Sequence, residues 1–350
     1  MTRPLLVTVD VECDKGPDWH TRTPPSFAGV AEGLAGRLHP LCERLGVRPT
    51  YLLSPEVLCH PPSVALLTAL SGCELGTHLH GEYVAPGARL PFAGRTDDMQ
   101  GDYASHVERD KLATLTELFR QQTGRAPRSF RAGRFGVGPH TGRHLRALGY
   151  LCDSSVTPGV CWTTANGERR PDFRAAPTAP WFVDETGDLF APGADPLRRT
   201  ALYEIPVTIR PGRGGGEPRW LRPWYSDRRT LLELVDEVAR EADTPLCVMF
   251  HQIELVAGLS PYPQSEADVR RFVDDLEALF ERALERGFAP RTMAEAQRDA
   301  LARRLAAACS NDVAADQGAL RFYVANTGSS SLSVIEHASR SVVVTSDGDG

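Results

Sequence analysis

Two acidic residues and three histidines stand where short apolar runs of this sequence end. Asp10 and Glu12 close the first run, His78 and His80 close a later one, and His251 ends a run near residue 250. Because residues i and i+2 of a strand face the same side, each of the first two pairs points together. Three carboxylate or imidazole ligands around an open position are typical of a catalytic zinc-type site. The remaining carboxylate could then deprotonate a water.

The elements that must position these residues alternate along the chain. Helical periodicity is clearest over 27–45 and over 265–286, where Ser265 is the predicted N-cap. Strand followed by helix, repeated, predicts parallel strands with helices outside, in a barrel or a doubly wound sheet. Eight predicted strands favour the (β/α) barrel, and they are 5–10, 47–53, 73–78, 128–132, 150–153, 202–209, 245–251 and 288–292.

A (β/α) barrel places its chemistry at the C-terminal ends of its strands. Each candidate alone has an ordinary structural interpretation: His78 as a core histidine, Glu12 as a solvated strand end, Arg131 as a surface cation. Their joint occurrence at matching strand ends favours a functional site over these separate interpretations.

Two regions break the alternation. Residues 157–200 are rich in Pro and Gly and predict a loop inserted beside the mouth of the barrel. The segment 211–224 is a second predicted loop, whose glycines do not match a phosphate-binding fingerprint. We expect a barrel domain over 1–309, followed over 310–350 by a linker and a short β-rich tail of three strands.

The composition of the chain argues against two classes of function, nucleic-acid binding and membrane spanning. The formal net charge of −6 offers no basic surface for nucleic acid, and no apolar run approaches membrane-spanning length. The N-terminal run is too short for a signal sequence, so we expect a cytoplasmic protein. The eight cysteines include no CxxC pair, and we interpret them as reduced thiols. The expected partner is a carbohydrate or another small-molecule substrate. The sequence gives no prediction about protein partners.

The same residues resemble the motifs of the polysaccharide deacetylase (NodB-homology) superfamily over roughly residues 5–300. The run Val-Thr-Val-Asp-Val-Glu, which ends at Glu12, looks like a variant of the family's first motif. Arg131 lies in a stretch similar to the third motif, and Val-Met-Phe-His, ending at His251, resembles the final one. The resemblance implies an irregular (β/α) barrel of the polysaccharide deacetylase type. The C-terminal stretch separately resembles a single YVTN-type β-propeller repeat, although a propeller needs several.

The resemblance also implies roles. Asp10 would be the general base, oriented by Arg131, and His251 the general acid. Glu12 and His78 would bind a divalent metal ion, with zinc as the first choice. The family's second motif has two histidines four residues apart, whereas here the residue four after His78 is a glutamate.

The third ligand is therefore either His80 or Glu82, and we favour His80. Three polar residues beside these motifs are predicted to bind substrate: Glu82, Arg134 and Glu254.

The function implied is removal of an acetyl or similar acyl group from the nitrogen of an amino sugar or related carbohydrate. Two alternatives stay open. The same machinery could hydrolyse another non-peptide C–N amide bond, because a fold does not determine a substrate. The altered second motif also allows a non-catalytic carbohydrate-binding or scaffold barrel.

Overall fold

The apolar run at the N-terminus forms the central strand of the fold. The structure is a computed structural model, and it describes residues 3–89, 98–163, 169–193, 199–315, 321–326, 331–336 and 341–346. Strand β1, Arg3–Val11, is buried almost throughout. A continuous apolar strand of this kind is expected where both faces of a parallel sheet are covered.

The curled main sheet has nine strands. Besides β1, they are β2 Thr50–Leu53, β3 Glu74–Leu79, β4 Ser129–Ala132, β5 Cys152–Asp153, β8 Trp181–Asp184, β9 Arg199–Glu204, β12 Leu246–His251 and β13 Phe288–Pro290. They lie in the order β12-β1-β2-β3-β4-β5-β9-β8, with β13 also paired to β1. All neighbours are parallel except β8 and β9, which are antiparallel.

Two short hairpins accompany the main sheet. Strands β6 Cys161–Thr163 and β7 Arg169–Asp172 pair antiparallel, and so do β10 Ile209–Arg210 and β11 Arg219–Trp220. The first hairpin and β8 fall within the predicted insertion, of which residues 164–168 and 194–198 lie outside the described residues. The assignment of 157–200 as an inserted loop stays a prediction.

The helices are α1 His39–Leu45, α2 Pro55–Leu58, α3 Pro61–Ala69, α4 Ser105–Thr123, α5 Thr141–Ala147, α6 Arg228–Val238, α7 Glu266–Glu285 and α8 Met293–Ala315. A π-type helix, Gly29–Leu38, leads into α1, which ends at Gly46 with a φ of 66°. At the start of α7, Ser265 and Asp268 form the predicted reciprocal cap. Among the described residues, every helix is too short or too polar to span a lipid bilayer.

The predicted fold class is confirmed: parallel strands curl into an irregular, open (β/α) barrel with helices outside, and a short β-rich tail follows. All eight predicted strands overlap a strand of the main sheet; β8 was not among them. It pairs antiparallel with β9 at the edge of the sheet.

The chain divides into two compact units, Met1–Gln297 and Arg298–Gly350. The described residues of the second unit include a three-stranded antiparallel sheet. Its strands, in spatial order, are β14 Arg321–Asn326, β15 Ser331–Glu336 and β16 Ser341–Ser346. The expected tail strands lie here, although the turns between them and residues 316–320 fall outside the described residues. The predicted domain boundary at 309/310 stays a prediction.

Two carboxyl groups lie side by side in the core of the first unit. Asp153 and Glu204 are register partners at the ends of β5 and β9, and both are completely buried. Burial, together with the charge and hydrogen bond of Asp153, raises the pKa of Glu204 well above its usual value. The pKa of Asp153 is also raised by burial. Two buried carboxyls in contact hold a proton between them, because ionising both would place two like charges together.

This pair predicts a pH-dependent stability. An acid whose pKa is raised by folding takes up a proton on folding, so its contribution to stability is lost as pH rises above the unfolded-state value of about 4.3. Glu204→Gln donates an amide hydrogen bond to Asp153 without that proton uptake. We expect the melting temperature of Glu204→Gln, relative to wild type, to rise steadily between pH 5 and pH 8.

Calorimetric scans across this pH range test the expectation, with the exposed Glu217→Gln as control. A melting-temperature difference that stays constant with pH would show that the pair holds no shared proton.

Candidate metal and acid–base site

Strand register brings the predicted residues to one end of the barrel. Asp10 of β1 is the register partner of His251 of β12, and His78 of β3 is the partner of Arg131 of β4. Because these strands are parallel, their C-terminal ends open on the same edge of the sheet. A cavity of about 420 Å³ there is lined by Asp10, Glu12, His78, His80, Arg134 and His251, among others.

Three of these side chains form a cluster suited to a metal ion. Glu12 Oε1 lies 3.2 Å from His78 Nε2 and 3.0 Å from His80 Nε2. The ligand atoms of the three residues lie within 4.8 Å of one another, and all three residues are buried. Two imidazole nitrogens and one carboxylate oxygen form a donor set that suits zinc and similar divalent ions. The residues present therefore fit a divalent metal.

The second nitrogen of each histidine of the cluster faces an oxygen, and that of His78 is within hydrogen-bond distance. His78 Nδ1 lies 3.0 Å from the Arg131 carbonyl oxygen, to which it can donate, which leaves the Nε2 lone pair facing Glu12. His80 Nδ1 lies 3.6 Å from Glu82 Oε1. Glu12 and Glu82 raise the pKa of His80 to about 9 against the opposing effect of burial.

Glu82 itself lies behind the cluster. Its side chain is completely buried, and Oε1 accepts a hydrogen bond from Arg134 Nη2 at 2.7 Å. Burial opposes ionisation of Glu82, but contacts with His80 and Arg134 hold its pKa well below the usual value. The structure thus places His80 in the ligand cluster and Glu82 one step farther out.

Arg131 holds Asp10 in one orientation. The guanidinium is completely buried and donates to Asp10 Oδ1 at 2.7 Å, to Thr8 Oγ1 at 2.6 Å and to the Ser154 carbonyl oxygen at 2.7 Å. Asp10 Oδ2 is directed to the site, 3.9 Å from His78 Nε2. Burial raises the pKa of Asp10, but the charges of Arg131 and the nearby histidines outweigh it, so the pKa is lowered.

His251 is held from behind by a buried ion pair. Its Nδ1 lies 2.9 Å from Glu254 Oε1, which also accepts a hydrogen bond from Arg222 Nη2 at 2.5 Å. Its Nε2 lies 4.0 Å from Asp10 Oδ2. A carboxylate on Nδ1 selects the tautomer and orientation of an imidazole, which leaves Nε2 available for chemistry in the cavity.

Lys15 also belongs to the site, although its sequence position did not predict this. Its buried ammonium lies 3.3 Å from Glu12 Oε2 and 3.5 Å from Glu56 Oε1. Burial opposes the charge of Lys15, but the two carboxylates raise its pKa well above the usual value. Lys15 thus occupies one oxygen of Glu12 and leaves the other for the histidines. Its spacing from Glu12 does not reveal this role, because Lys15 lies beyond the end of β1 and its position depends on how the following loop folds.

Loop residues complete the cavity. Arg222 and Tyr225 come from the segment around the predicted loop 211–224. The aromatic rings that line the cavity are Trp19, Tyr83, Phe135, Trp162, Tyr225 and Tyr262. In the sequence, the aromatic residues around 220–225 and Tyr262 are the signal that could have indicated this wall.

Six of the nine residues predicted from the sequence line the cavity, and the other three lie directly behind it. The six are Asp10, Glu12, His78, His80, Arg134 and His251, and the three are Arg131, Glu82 and Glu254. The structure therefore brings all nine together. Their individual roles stay predictions, as does substrate binding by Glu82, Arg134 and Glu254. The buried positions of Glu82 and Glu254 let these two act through neighbouring side chains.

Solved structures with a similar arrangement include polysaccharide deacetylases. A Mycobacterium smegmatis protein to which polysaccharide deacetylase function is attributed is 18% identical, with 83% of this chain and 93% of that chain covered at a TM-score of 0.46. A Pseudomonas aeruginosa PAO1 protein with the same attribution is 14% identical, with 85% of this chain and 90% of that chain covered at a TM-score of 0.49. Puue allantoinase gives the same figures: 14% identity, 85% and 90% coverage, and 0.49.

Because these identities lie below 20% and the TM-scores below 0.5, they assign no activity to this chain. No family model and no curated protein matches the sequence. The likeness of the C-terminal stretch to a propeller repeat is not supported by these comparisons.

The cluster predicts how metal affinity depends on each side chain. His78→Ala and His80→Ala should each abolish stoichiometric zinc binding, because each removes one of three ligands. Glu82→Gln should keep one ion per chain with a Kd roughly 10–100-fold weaker, as expected for a residue behind a ligand.

Calorimetric titration of zinc into chelator-treated protein measures these affinities, with His60→Ala, outside the cluster, as control. If His80→Ala retained zinc and Glu82→Gln lost it, Glu82 would be the ligand and His80 the residue behind it.

Proposed function

We propose that this chain is a metal-dependent hydrolase that removes an acetyl or similar acyl group from the nitrogen of an amino sugar or related carbohydrate. One observation carries the proposal. A three-ligand cluster, an ionised carboxylate and a carboxylate-held imidazole all face the same cavity. Hydrolysis of an amide needs these three functions: activation of the carbonyl, a base for water and an acid for the leaving nitrogen.

Glu12, His78 and His80 would hold the ion, with zinc the proposed metal because of their donor types. When bound, such an ion supplies Lewis acidity that polarises a carbonyl and makes water more acidic. Lys15 helps to hold Glu12 in place, since its ammonium lies 3.3 Å from Oε2 while Oε1 faces both histidines. Of the two oxygens of Glu12, Oε1 would therefore be the one available to a metal ion.

Asp10 acts as the general base in this proposal. Arg131 occupies Oδ1 at 2.7 Å, so the lone pairs of Oδ2 are left to accept a proton from the attacking water. The lowered pKa of Asp10 keeps the carboxylate ionised and ready to accept that proton at neutral pH. Thr8 and Ser154 hold the guanidinium and thereby the orientation of the base.

His251 acts as the general acid. With Nδ1 held by Glu254, Nε2 delivers a proton to the departing nitrogen from a position 4.0 Å from Asp10 Oδ2. Base and acid thus lie close enough to serve one tetrahedral centre between them. Glu254 also fixes the orientation of the ring, because its buried carboxyl group lies 2.9 Å from Nδ1.

The walls of the cavity support a carbohydrate as substrate. Aromatic rings pack against the C–H faces of a sugar, while a few polar groups select its hydroxyl pattern. Arg134 is the proposed polar contact, since it lines the cavity and is held by Glu82. The sequence resemblance to polysaccharide deacetylases supports the acetamido group as the reacting part.

The mechanism predicts the behaviour of Asp10→Asn. An amide of the same shape cannot accept the proton, so acetate release from N-acetylated amino sugars should fall by about 10²–10⁴-fold. Zinc binding should survive, because Asp10 lies outside the ligand cluster. Steady-state acetate release, measured beside metal content, checks both parts.

Asp110→Asn, a half-exposed residue of α4 that does not line the cavity, serves as the matched control and should keep its turnover. Full activity in metal-loaded Asp10→Asn would contradict the role of Asp10.

A further inference from the structure

Lys111 is a buried lysine outside the site described above. It lies in α4 and is only 2% exposed. Its ammonium donates hydrogen bonds to three backbone carbonyl oxygens, those of Gly81 and Val84 at 2.7 Å and that of Pro86 at 2.6 Å. Three acceptors require three N–H donors, which an ammonium has and a neutral amine lacks. This set of contacts therefore holds Lys111 in its charged form.

All three carbonyls belong to the 81–86 segment, which follows β3 and His80 and begins with one turn of 3-10 helix, Gly81–Tyr83. Carbonyl oxygens carry partial negative charge, and a group of them directed at one point is suited to a cation. Without a donor between them, buried carbonyls would lose free energy, because they have left water unpaired. Lys111 supplies, as part of the chain, the cation that this conformation of the segment requires.

The ring of Tyr103 lies beside the same ammonium. Lys111 Nζ is 4.9 Å from the centre of that ring. The ring also packs against Gly81 so closely that a Cβ atom there would lie 2.5 Å from a ring carbon. The Tyr103 hydroxyl donates to Asp98 Oδ2 at 3.0 Å, and Arg134 Nη1 donates to the Asp98 carbonyl oxygen at 3.1 Å. The contacts around Lys111 thus extend to Arg134, which lines the cavity.

Glu82 lies within the 81–86 segment and connects it to the metal cluster. Its Oε1 is 3.6 Å from His80 Nδ1 and accepts a hydrogen bond from Arg134 Nη2 at 2.7 Å. Lys111 holds the backbone on both sides of Glu82, because it binds the carbonyl of the preceding residue and that of the second residue after it. The direction of the Glu82 carboxylate therefore depends on where the ammonium of Lys111 lies.

We propose that Lys111 is a positioning residue for the metal cluster, whose ammonium fixes the 81–86 segment and so keeps Glu82 against His80 and Arg134. This inference rests on the proposed function, because it takes His80 to be a metal ligand. Since the carbonyls recognise an ammonium and its N–H donors, a free primary alkylammonium ion should bind in the same place once the lysine side chain is shortened.

Chemical rescue tests this assignment in the full chain. Lys111→Ala leaves space for n-propylammonium, which has the carbons and the nitrogen that the substitution removes. In metal-free protein, we expect amides of the 81–86 segment to exchange with deuterium about tenfold faster in Lys111→Ala than in wild type. Added n-propylammonium should restore their protection. Tetramethylammonium at the same ionic strength has no N–H donor and should restore none of it.

Zinc titration follows the effect to the cluster. In Lys111→Ala the Kd for zinc should rise about tenfold, and n-propylammonium should return it to within about twofold of the wild-type value. If Lys111 acts through Glu82, Lys111→Ala combined with Glu82→Gln should bind zinc no more weakly than Glu82→Gln alone. Arg109→Ala removes an exposed cation from the same helix and is the matched control, with neither property changed.

Lys111→Met keeps an extended side chain but has no donor, and it should show the same two losses if Lys111→Ala does not fold. Equal recovery with tetramethylammonium, or unchanged exchange in both Lys111 variants, would overturn the role of Lys111. Losses of zinc affinity that multiply in the double variant would also overturn it, because Lys111 would then act by a route other than Glu82.

The exchange measurement separates this inference from the proposed function. Faster exchange in Lys111→Ala, with no zinc bound by the wild-type chain, would support the hold on the 81–86 segment and overturn the proposed metal site. Unchanged exchange in the Lys111 variants, with normal zinc binding by the wild-type chain, would overturn the inference alone.

Discussion

Burial of negative charge at the mouth of the barrel is the constraint on which the site depends. A carboxylate removed from water is strongly destabilised unless a cation and hydrogen bonds compensate it. Here each buried carboxylate of the site has its own cationic partner, in the pairs Asp10–Arg131, Glu12–Lys15, Glu82–Arg134 and Glu254–Arg222. Removing one cation would leave its own carboxylate buried and uncompensated, so each pair keeps one charged group of the site in place.

In two of these pairs, the cation contacts one carboxylate oxygen and leaves the other oxygen facing the site. Arg131 takes Oδ1 of Asp10, and Lys15 lies against Oε2 of Glu12. The other oxygen of each group faces the histidines. The orientation that catalysis requires is thereby set by contacts deeper in the fold, before any ligand arrives.

Much of this site could be predicted from the sequence, for a geometric reason. Asp10, His78 and His251 lie at the C-terminal ends of parallel strands. Such ends lie along one edge of a sheet, and this does not depend on the conformation of the loops. Lys15 and Arg222 could not be predicted, because they lie beyond the strands and their positions depend on how loops pack. For the same reason the sequence could not show that Glu82 and Glu254 are buried behind the histidines.

In our proposal, Glu12, His78 and His80 hold a metal ion that amide hydrolysis requires. The decisive measurement is acetate release from a panel of N-acetylated amino sugars and their oligomers, before and after chelation. We expect chelation to abolish acetate release and one equivalent of zinc per chain to restore it. Undiminished release by chelator-treated protein shown to be free of metal would mean that hydrolysis does not need the ion.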